Sequence, residues 1–587
     1  MRTVRNILVF LAGLSIAVVS GFAYQLGLDP SPGLGERRVL FLAAGVLVML
    51  FPAYSARIEN LAQRLYVKYA ALREEVYNRL RIPGNLRHGL APVARKRFAY
   101  ASAALACAAT IALQTWFASA GTWDTWLTYS FYYDQLADAF LNGQTWLERQ
   151  VNPLLLALPN PYDPEARLGL GYLWDATLYE GKYYLYWGPM PAVILTAIKF
   201  IHPMAIGDNL IVFVGIALTT IFQTLLLTLL WTRYFQRLPI WILVLGVLAA
   251  GSVVPFNWMN NRPEIYEAAI MSAQAFLMGG IYFALLAIQP DEVSPRMLTV
   301  ASVFWSCAIA SRTVVVFEVI FASFLIFILT LKRPGSWAWK SKRVLALGIP
   351  LALCALSLGT YNYIRFGSPL DFGINNQLAL SDQKKHKDDF FSTGYILPNL
   401  EIYTLTLPER VSTFPYIRAK LEDEIESSFE APDFYYKEHV TGLVFTFPFA
   451  IFALLPVIRT LIRGVKPRNN EFDGSEHMLQ WICVLLSGMA LIAIVLLLTF
   501  FSVIMRYLAD LTPILSVLAV MGFWFGYRAV SSDWVLRYTY SGIGVLLAGA
   551  GMVVSNLIAL LVSQRINTHS PQVLPAIDIF FKAFFSS

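Results

Sequence analysis

The run LQWICVLLSGMALIAIVLLLTFFS (Leu479–Ser502) carries no charged residue. As one helix it is long enough to cross the hydrocarbon core of a bilayer, which is about 30 Å thick. Similar runs recur along the 587 residues, of which 57% are hydrophobic and 14% are charged. A soluble protein averages about a quarter charged residues. The composition therefore predicts an all-α polytopic integral membrane protein.

Thirteen apolar runs are predicted to be transmembrane helices. They cover residues 7–27, 39–55, 99–118, 210–231, 239–255, 268–288, 297–311, 313–331, 343–361, 440–459, 479–502, 507–527 and 536–562. A further apolar run, 187–204, is short, has two prolines near its start and contains Lys199. We predict that this run forms a juxtamembrane helix lying at the membrane interface.

Lysine and arginine are concentrated in segments that would all face the cytoplasm if the N-terminus does. Ten lie between Arg57 and Arg97, five in 331–343 and four in 458–468. The same topology places 119–209 and 362–439 on the outer face. The net charge of +7 comes from basic residues clustered in short loops, so we predict no nucleic-acid partner.

The unusual charged residues fall on the outer side of this topology. They are Asp134, Asp138, Arg262, Glu264, Glu267, Arg312, Glu318, Arg365, Arg506 and Asp510. Charges at a membrane are costly unless they are paired or solvated, so the grouping predicts a polar cavity that opens outward. Arginine binds phosphate through two parallel hydrogen bonds, and carboxylates accept protons or hold divalent metals. A ligand with an anionic head and an apolar tail would suit such a cavity.

Simpler structural roles are open for several of these residues. Arg365 would extend from its helix end to the interface, and Asp510 would pair with Arg506 one helical turn away. Asp138 would lie on a solvated face, and Asp163 would organise a turn between prolines. The aromatic run LYEGKYYLYWGP (178–189) is also typical of an interfacial belt.

Several segments, taken in order, resemble those of the C-type glycosyltransferase (GT-C) superfamily. They are YYDQLADAFLNGQ (132–144), WDATLYEGKYYLYWGPMPAVILTAIKF (174–200), AIASRTVVVFE (308–318), YIRFGSPLDFG (363–373) and MRYLADLTPIL (505–515). The resemblance implies a GT-C-like fold with four parts. These are a two-helix addition with a basic cytoplasmic linker (1–98), a transmembrane core (99–361) with its first outer loop at 119–209, an outer segment (362–439) and C-terminal transmembrane helices (440–587).

The resemblance also implies an enzyme that transfers a sugar from a polyprenyl-phosphate donor, with inversion, on the outer face of a bacterial inner (cytoplasmic) membrane. The acceptor would be a lipid-linked glycan, a lipid or a protein. Asp134, the acid of the first outer loop, would be the catalytic base. The implied substrate-binding residues are Asp175, Glu180, Lys182, Tyr184, Glu267, Arg312 and Arg506. Some members use a divalent metal, so Mg²⁺ or Mn²⁺ remains an open option.

The sequence departs from this family at one informative place. An acid doublet is frequent in the first loop of such enzymes, but YDQ (133–135) stands there in this chain. A non-catalytic scaffold or assembly subunit with the same fold is therefore the main alternative. A transporter is less favoured, because the charges lie outward instead of at the midplane and no internal repeat is visible.

Overall fold

The computed structural model describes residues 92–586 except 125, 127, 129, 290–291, 464–473 and 563–564. Contacts divide the chain into two compact units, Met1–Arg95 and Lys96–Ser587. Nearly all described residues belong to the second unit. The predicted spans 7–27 and 39–55, and most of the basic linker after them, lie outside the described residues.

The described part of the chain is mainly helical. Its α-helices are α1 (Pro92–Ala118), α2 (Tyr132–Leu141), α3 (Pro153–Leu156), α4 (Met190–Ile201), α5 (Asp208–Leu230), α6 (Ile240–Gly251), α7 (Phe256–Asn261), α8 (Ile265–Ala287), α9 (Pro295–Ser311), α10 (Val316–Lys332), α11 (Trp337–Phe366), α12 (Ile396–Leu405), α13 (Leu443–Thr446), α14 (Leu454–Arg463), α15 (Gly474–Thr499), α16 (Thr512–Val530), α17 (Trp534–Leu560), α18 (Arg565–His569) and α19 (Val573–Ser586). A π-helical turn follows α5 at Trp231–Phe235, and 3₁₀ turns include Thr313–Val315, Pro448–Ala453 and Met505–Asp510.

The strands of the described residues are short and form three two-stranded ladders. Strand β1 (Thr177–Tyr179) pairs antiparallel with β2 (Lys182–Tyr184), and β3 (Glu409–Arg410) pairs antiparallel with β4 (Ile417–Arg418). Strand β5 (Tyr436–Lys437) pairs parallel with β6 (Ser502–Val503). This last ladder joins the end of the outer segment 362–439 to the connection between α15 and α16.

Eight helices of the described residues are long and apolar enough to cross a membrane. They are α1, α5, α8, α10, α11, α15, α16 and α17, and each overlaps a predicted span. The runs predicted as spans at 239–255, 297–311 and 440–459 form shorter helices; α6, for example, has 12 residues and is about 18 Å long. The prediction of an all-α polytopic protein is confirmed, whereas the count of thirteen spans is not.

Helix α8 is the most enclosed of the eight, with 78% of its apolar window buried. Glycines let its neighbours approach closely. A Cβ atom on Gly215 of α5 would lie 2.8 Å from the backbone of Met271, and one on Gly280 of α8 would lie 2.3 Å from Trp305 of α9. Such small residues allow close helix packing in a membrane. The packing fixes the position of Glu267, in the first turn of α8, and of Arg312, directly after α9.

Basic residues lie at the other end of α8 and α9. Nη2 of Arg333 donates to the carbonyl of Gln289 at 2.6 Å, and Nε of Arg343 donates to the carbonyl of Val293 at 2.6 Å. Both carbonyls belong to the connection between α8 and α9. This is the end that the predicted topology places in the cytoplasm, and that assignment of sides stays a prediction.

Helix α4 has the form expected of the predicted interfacial helix. Its 12 residues span about 18 Å, too little to cross a bilayer. Ala192 and Leu195 are buried, whereas Phe200 and Ile201 are 81% and 83% exposed. A helix with one packed face and exposed apolar residues on the other is suited to lie along a lipid surface.

Candidate functional site

Arg506 is the centre of a group of charged side chains at the end of α8 opposite the basic residues. It lies in the 3₁₀ turn between β6 and α16 and is 6% exposed. Its Nη1 is 2.7 Å from Oε2 of Glu438 and 3.9 Å from Oε1 of Glu267. Nη1 of Arg262 is 3.0 Å from Oε1 of Glu438, so one carboxylate joins two arginines. Together with Asp175, these four residues are called the charged cluster.

Pairing keeps the arginines of the charged cluster ionised. Burial lowers the pKa of Arg506, but Glu438 and Glu267 outweigh it and hold the pKa above its ordinary value. Burial also lowers the pKa of Arg262, but Glu438, Glu264 and Glu267 together hold it above its ordinary value. Breaking a buried ion pair by removing one partner leaves an uncompensated charge, at a cost of about 3–5 kcal/mol. The members of the cluster therefore stabilise one another.

Asp175 enters the charged cluster from the first outer loop, just before β1. Its backbone N–H donates to the carbonyl of Leu378 at 3.2 Å. The Tyr266 hydroxyl donates to Oδ2 of Asp175, and the Arg506 guanidinium lies 4.5 Å from the centre of the Tyr266 ring. Burial raises the pKa of Asp175 to about 7, while Arg506 and the side chain of Gln377 limit the rise. A carboxyl group that titrates near neutral pH is well suited to take up a proton in a reaction.

Arg312 extends the site through a second ion pair. Its Nη2 is 2.9 Å from Oδ2 of Asp510, whose Oδ1 accepts a hydrogen bond from Gln274 at 3.3 Å. The Tyr507 ring lies between the two arginines, 5.4 Å from the Arg312 guanidinium and 5.6 Å from that of Arg506. Burial raises the pKa of Asp510, and Arg312 opposes the rise. Asp510 thus pairs with Arg312 and not with Arg506, the partner that helical spacing suggested.

Asp134 lies in the first turn of α2, and its polar partners belong to the α4 side of the fold. Oδ1 of Asp134 accepts from Nζ of Lys199 at 2.8 Å and from the N–H of Ile206 at 2.8 Å. Lys199 also pairs with Asp138 at 2.6 Å. Asp134 is 6% exposed, whereas the Asp138 side chain is 45% exposed. These bonds fasten α4 to α2, and the role of Asp134 as a base stays a prediction.

Three other predicted binding residues lie on the β1–β2 hairpin. Glu180 is exposed in the two-residue turn of the hairpin. Its φ is 46°, and a positive φ is what two-residue turns need to match the right-handed twist of the strands. Lys182 lies over the Trp146 ring at 3.8 Å, and Tyr184 packs edge-on against Phe366 at 5.3 Å. Within the described ranges, the contacts of these three side chains do not reach the charged cluster. Of the predicted substrate-binding residues, the structure therefore brings together Asp175, Glu267 and Arg506, with Arg312 beside them.

Arg365 has structural partners. Its Nη1 donates to the carbonyl of Leu185 at 2.6 Å, and its Nη2 donates to Oδ1 of Asn362 at 2.6 Å. Its guanidinium lies 3.9 Å from the centre of the Tyr361 ring, and the residue is 4% exposed. Arg365 joins the end of α11 to the end of the β1–β2 hairpin and does not extend to an aqueous interface.

Sequence reasoning missed Glu438 and Tyr266, and it placed Arg262 among the charges of the outward cavity but not among the substrate-binding residues. Glu438 falls at the end of the predicted outer segment 362–439, for which no site residue is predicted from the sequence. One signal pointed to it, since Glu438 is the last acid before the apolar run that begins at residue 440. In NNRPEIYEAAI (260–270), Arg262 precedes the Glu264–Glu267 pair and Tyr266 lies between its two acids, so both share its position at the start of α8.

The charged cluster does not fit a divalent metal. Within the described ranges, no group of three Asp, Glu, His or Cys side chains is placed to hold one. Glu438 is bound by two arginines, and Asp175 accepts a hydrogen bond from Tyr266. Ligands of hard divalent cations are oxygens free of competing cations. No step proposed below passes through a metal.

The fold and site define a polytopic helical membrane protein with a buried arginine–carboxylate cluster at one end of its helices. No protein-family model matches the chain, and no curated protein matches it. Among solved structures, the chain is similar to the crystal structure of ArnT from Cupriavidus metallidurans bound to undecaprenyl phosphate. The match has 11% identity and a TM-score of 0.40, and covers 79% of this chain and 77% of that one.

Proposed function

We propose that the protein is a membrane glycosyltransferase that transfers a sugar from a polyprenyl-phosphate donor to an acceptor hydroxyl, with inversion. The proposal places the site on the outer face of a bacterial inner membrane, with the N-terminus in the cytoplasm. The acceptor is a lipid-linked glycan, a lipid or a protein. One observation carries the proposal: Asp175, a carboxyl group with a pKa of about 7, shares a buried cluster with Arg506 at the end of apolar helices.

The arginines suit the leaving group of such a reaction. When the bond between the anomeric carbon and the phosphate oxygen breaks, negative charge grows on the phosphate. Preorganised cations in a site of low dielectric stabilise that charge without reorganising. Arg506 and Arg262 lie in the charged cluster, and Arg312 lies beside it. The lipid chain of the donor would extend among the apolar helices.

A base must take the proton of the acceptor hydroxyl as its oxygen attacks the anomeric carbon. Asp134 is the base predicted from the sequence, yet its Oδ1 already accepts from an ammonium group and a backbone N–H. Asp175 is the stronger candidate, because its pKa lies near neutral and it is close to Arg506. In this proposal Asp134 positions α2 and α4. Glu180, Lys182 and Tyr184 then bind donor sugar or acceptor from the hairpin.

One contact favours the alternative function, that of a non-catalytic scaffold. The ion pair of Asp134 with Lys199 is what a purely structural acid would make. A scaffold would not need a carboxyl group poised near neutral pH beside paired arginines. That difference ranks the enzyme first and gives the two functions different responses to mutation of Asp175.

The first experiment is native mass spectrometry of the purified protein, to detect a co-purified polyprenyl phosphate with or without a sugar. A bound lipid of this class would support the donor and identify the sugar by its mass. Sugar transfer by Asp175→Asn and Asp134→Asn variants would then identify the base. Binding of ordinary phospholipid alone, even after polyprenyl phosphates are added, would contradict the proposed function.

A further inference from the structure

The single carboxylate of Glu438 joins both arginines of the charged cluster, in addition to the pairs of Arg262 with Glu264 at 3.4 Å and of Arg506 with Glu267 at 3.9 Å. Its Oε2 lies 2.7 Å from Nη1 of Arg506, and its Oε1 lies 3.0 Å from Nη1 of Arg262. Two oxygens of one anionic group, each held by a different guanidinium, are an arrangement that two non-bridging oxygens of a phosphate ester would also satisfy, in the donor diester and in the polyprenyl monophosphate that it releases. The cluster is therefore an anion site, and a side chain of the protein occupies it.

The side chain that occupies this site comes from the outer segment 362–439. The backbone N–H of Glu438 donates to the carbonyl of Val503 at 3.0 Å, and the N–H of Met505 donates to the carbonyl of His439 at 3.2 Å. These bonds extend the β5–β6 ladder and place Glu438 beside the turn that carries Arg506. They involve only the backbone, so the Glu438 carboxylate can rotate away without unpairing the strands.

We propose that Arg262 and Arg506 bind the phosphate of the lipid donor and that Glu438 occupies this site while no donor is bound. The proposal rests on the proposed function. An entering phosphate replaces the carboxylate on both guanidiniums, and the Glu438 side chain turns towards the outer face. Exchange of one anion for another keeps both arginines paired, so neither state contains an isolated buried charge. Glu267, 3.9 Å from Arg506, remains in place in both states.

The test measures binding of a polyprenyl monophosphate, and of the matching neutral polyprenol, to the full-length protein in detergent. Glu438→Gln keeps the side-chain shape but removes its negative charge, and its amide has one oxygen to accept from a guanidinium where the carboxylate has two. We expect this variant to bind the monophosphate about tenfold more tightly than wild type and the polyprenol equally. Arg262→Gln should bind the monophosphate about tenfold more weakly.

The matched control is Glu424→Gln, the same change in the same outer segment. Glu424 pairs with Arg418, so we expect its substitution to leave monophosphate affinity unchanged. Glu438→Asp is a second variant of the site, in which the shorter carboxylate cannot reach both arginines. It should also bind the monophosphate more tightly than wild type, whereas a residue that only supported the fold would weaken binding when altered.

The outcomes separate this inference from the proposed function. Tighter monophosphate binding in the Glu438 variants, without tighter polyprenol binding, supports the inference. If wild type prefers the monophosphate over the polyprenol but neither Glu438 variant gains affinity, the inference is overturned and the proposed donor class stands. If no form of the protein prefers the monophosphate, both are overturned.

Discussion

Replacing Asp175 with asparagine keeps the size of the side chain and removes the group proposed as the base. With a pKa of about 7, roughly half of the molecules carry an ionised Asp175 at about pH 7 and about one in ten at about pH 6. The ionised carboxylate is the active form, so kcat/KM for sugar transfer should rise about tenfold between about pH 6 and about pH 8. Loss of a general base costs about 10²–10⁴-fold in rate, or about 3–5 kcal/mol of transition-state stabilisation. The assay follows release of polyprenyl phosphate from a labelled donor, with total membrane extract as the source of acceptor.

Tyr266→Phe is the control for the origin of this pH dependence. The Tyr266 hydroxyl donates to the Asp175 carboxylate, and such a bond favours the charged form. Its removal should raise the pKa further and move the acid limb of the rate profile to higher pH. A flat profile between about pH 6 and about pH 8, with full activity in Asp175→Asn, would refute the assignment. Loss of transfer in Asp134→Asn alone would instead identify the base predicted from the sequence.

Three further predictions concern residues outside the charged cluster. Asp134→Asn should lower the free energy of unfolding by about 1–3 kcal/mol, because it breaks a buried charged hydrogen bond. Asp138→Asn should change it by less than about 1 kcal/mol, because the Asp138 side chain is 45% exposed. Thermal melts of the two variants check this. Arg365→Ala should lower Tm but leave polyprenyl-phosphate affinity nearly unchanged, since its guanidinium bonds a backbone carbonyl and an amide oxygen; a loss of affinity without a loss of Tm would contradict this. Gly188→Ala would place a Cβ atom 2.1 Å from the carbonyl oxygen of Ala310 and should lower the free energy of unfolding by about 1–3 kcal/mol. Gly171→Ala is the control, because no neighbouring atom lies within 4 Å of its new Cβ atom. It should melt close to wild type.

The helices were predictable because membrane insertion is encoded locally. A run such as 479–502 must form a helix in lipid, since every backbone polar group needs a partner within the segment. The same reasoning could not fix the number of crossings, because 239–255 and 440–459 are as apolar as true spans but form shorter helices. The hairpin at 177–184 overlaps the aromatic run 178–189, whose pattern predicts an interfacial belt and not strands. Its strands are three residues each, too short for alternation to stand out.

The grouping of Asp175, Glu267 and Arg506 was predictable, whereas their pairing was not. The order of spans along the sequence decides which side of the membrane a charged residue faces, so the side can be predicted from the sequence. Which carboxylate meets which arginine depends on how α8, α16 and the outer segment pack against one another. Asp510 shows the difference, because helical spacing suggested Arg506 and packing gave it Arg312.

Glu438 shows why the anion site between Arg262 and Arg506 could be found from contacts and not from the sequence. A carboxylate 68 residues before Arg506 has no local signal of its partner, and the segment around it is as charged as a solvated loop. Yet Arg506 is buried and Arg262 is partly buried, and without Glu438 the charge of Arg506 would be compensated, among the described residues, only by Glu267 at 3.9 Å. An enzyme that binds and releases an anionic lipid at such a pair therefore needs a second anion to take the place of the first. Glu438, held by backbone bonds at a position from which it reaches both arginines, meets that need.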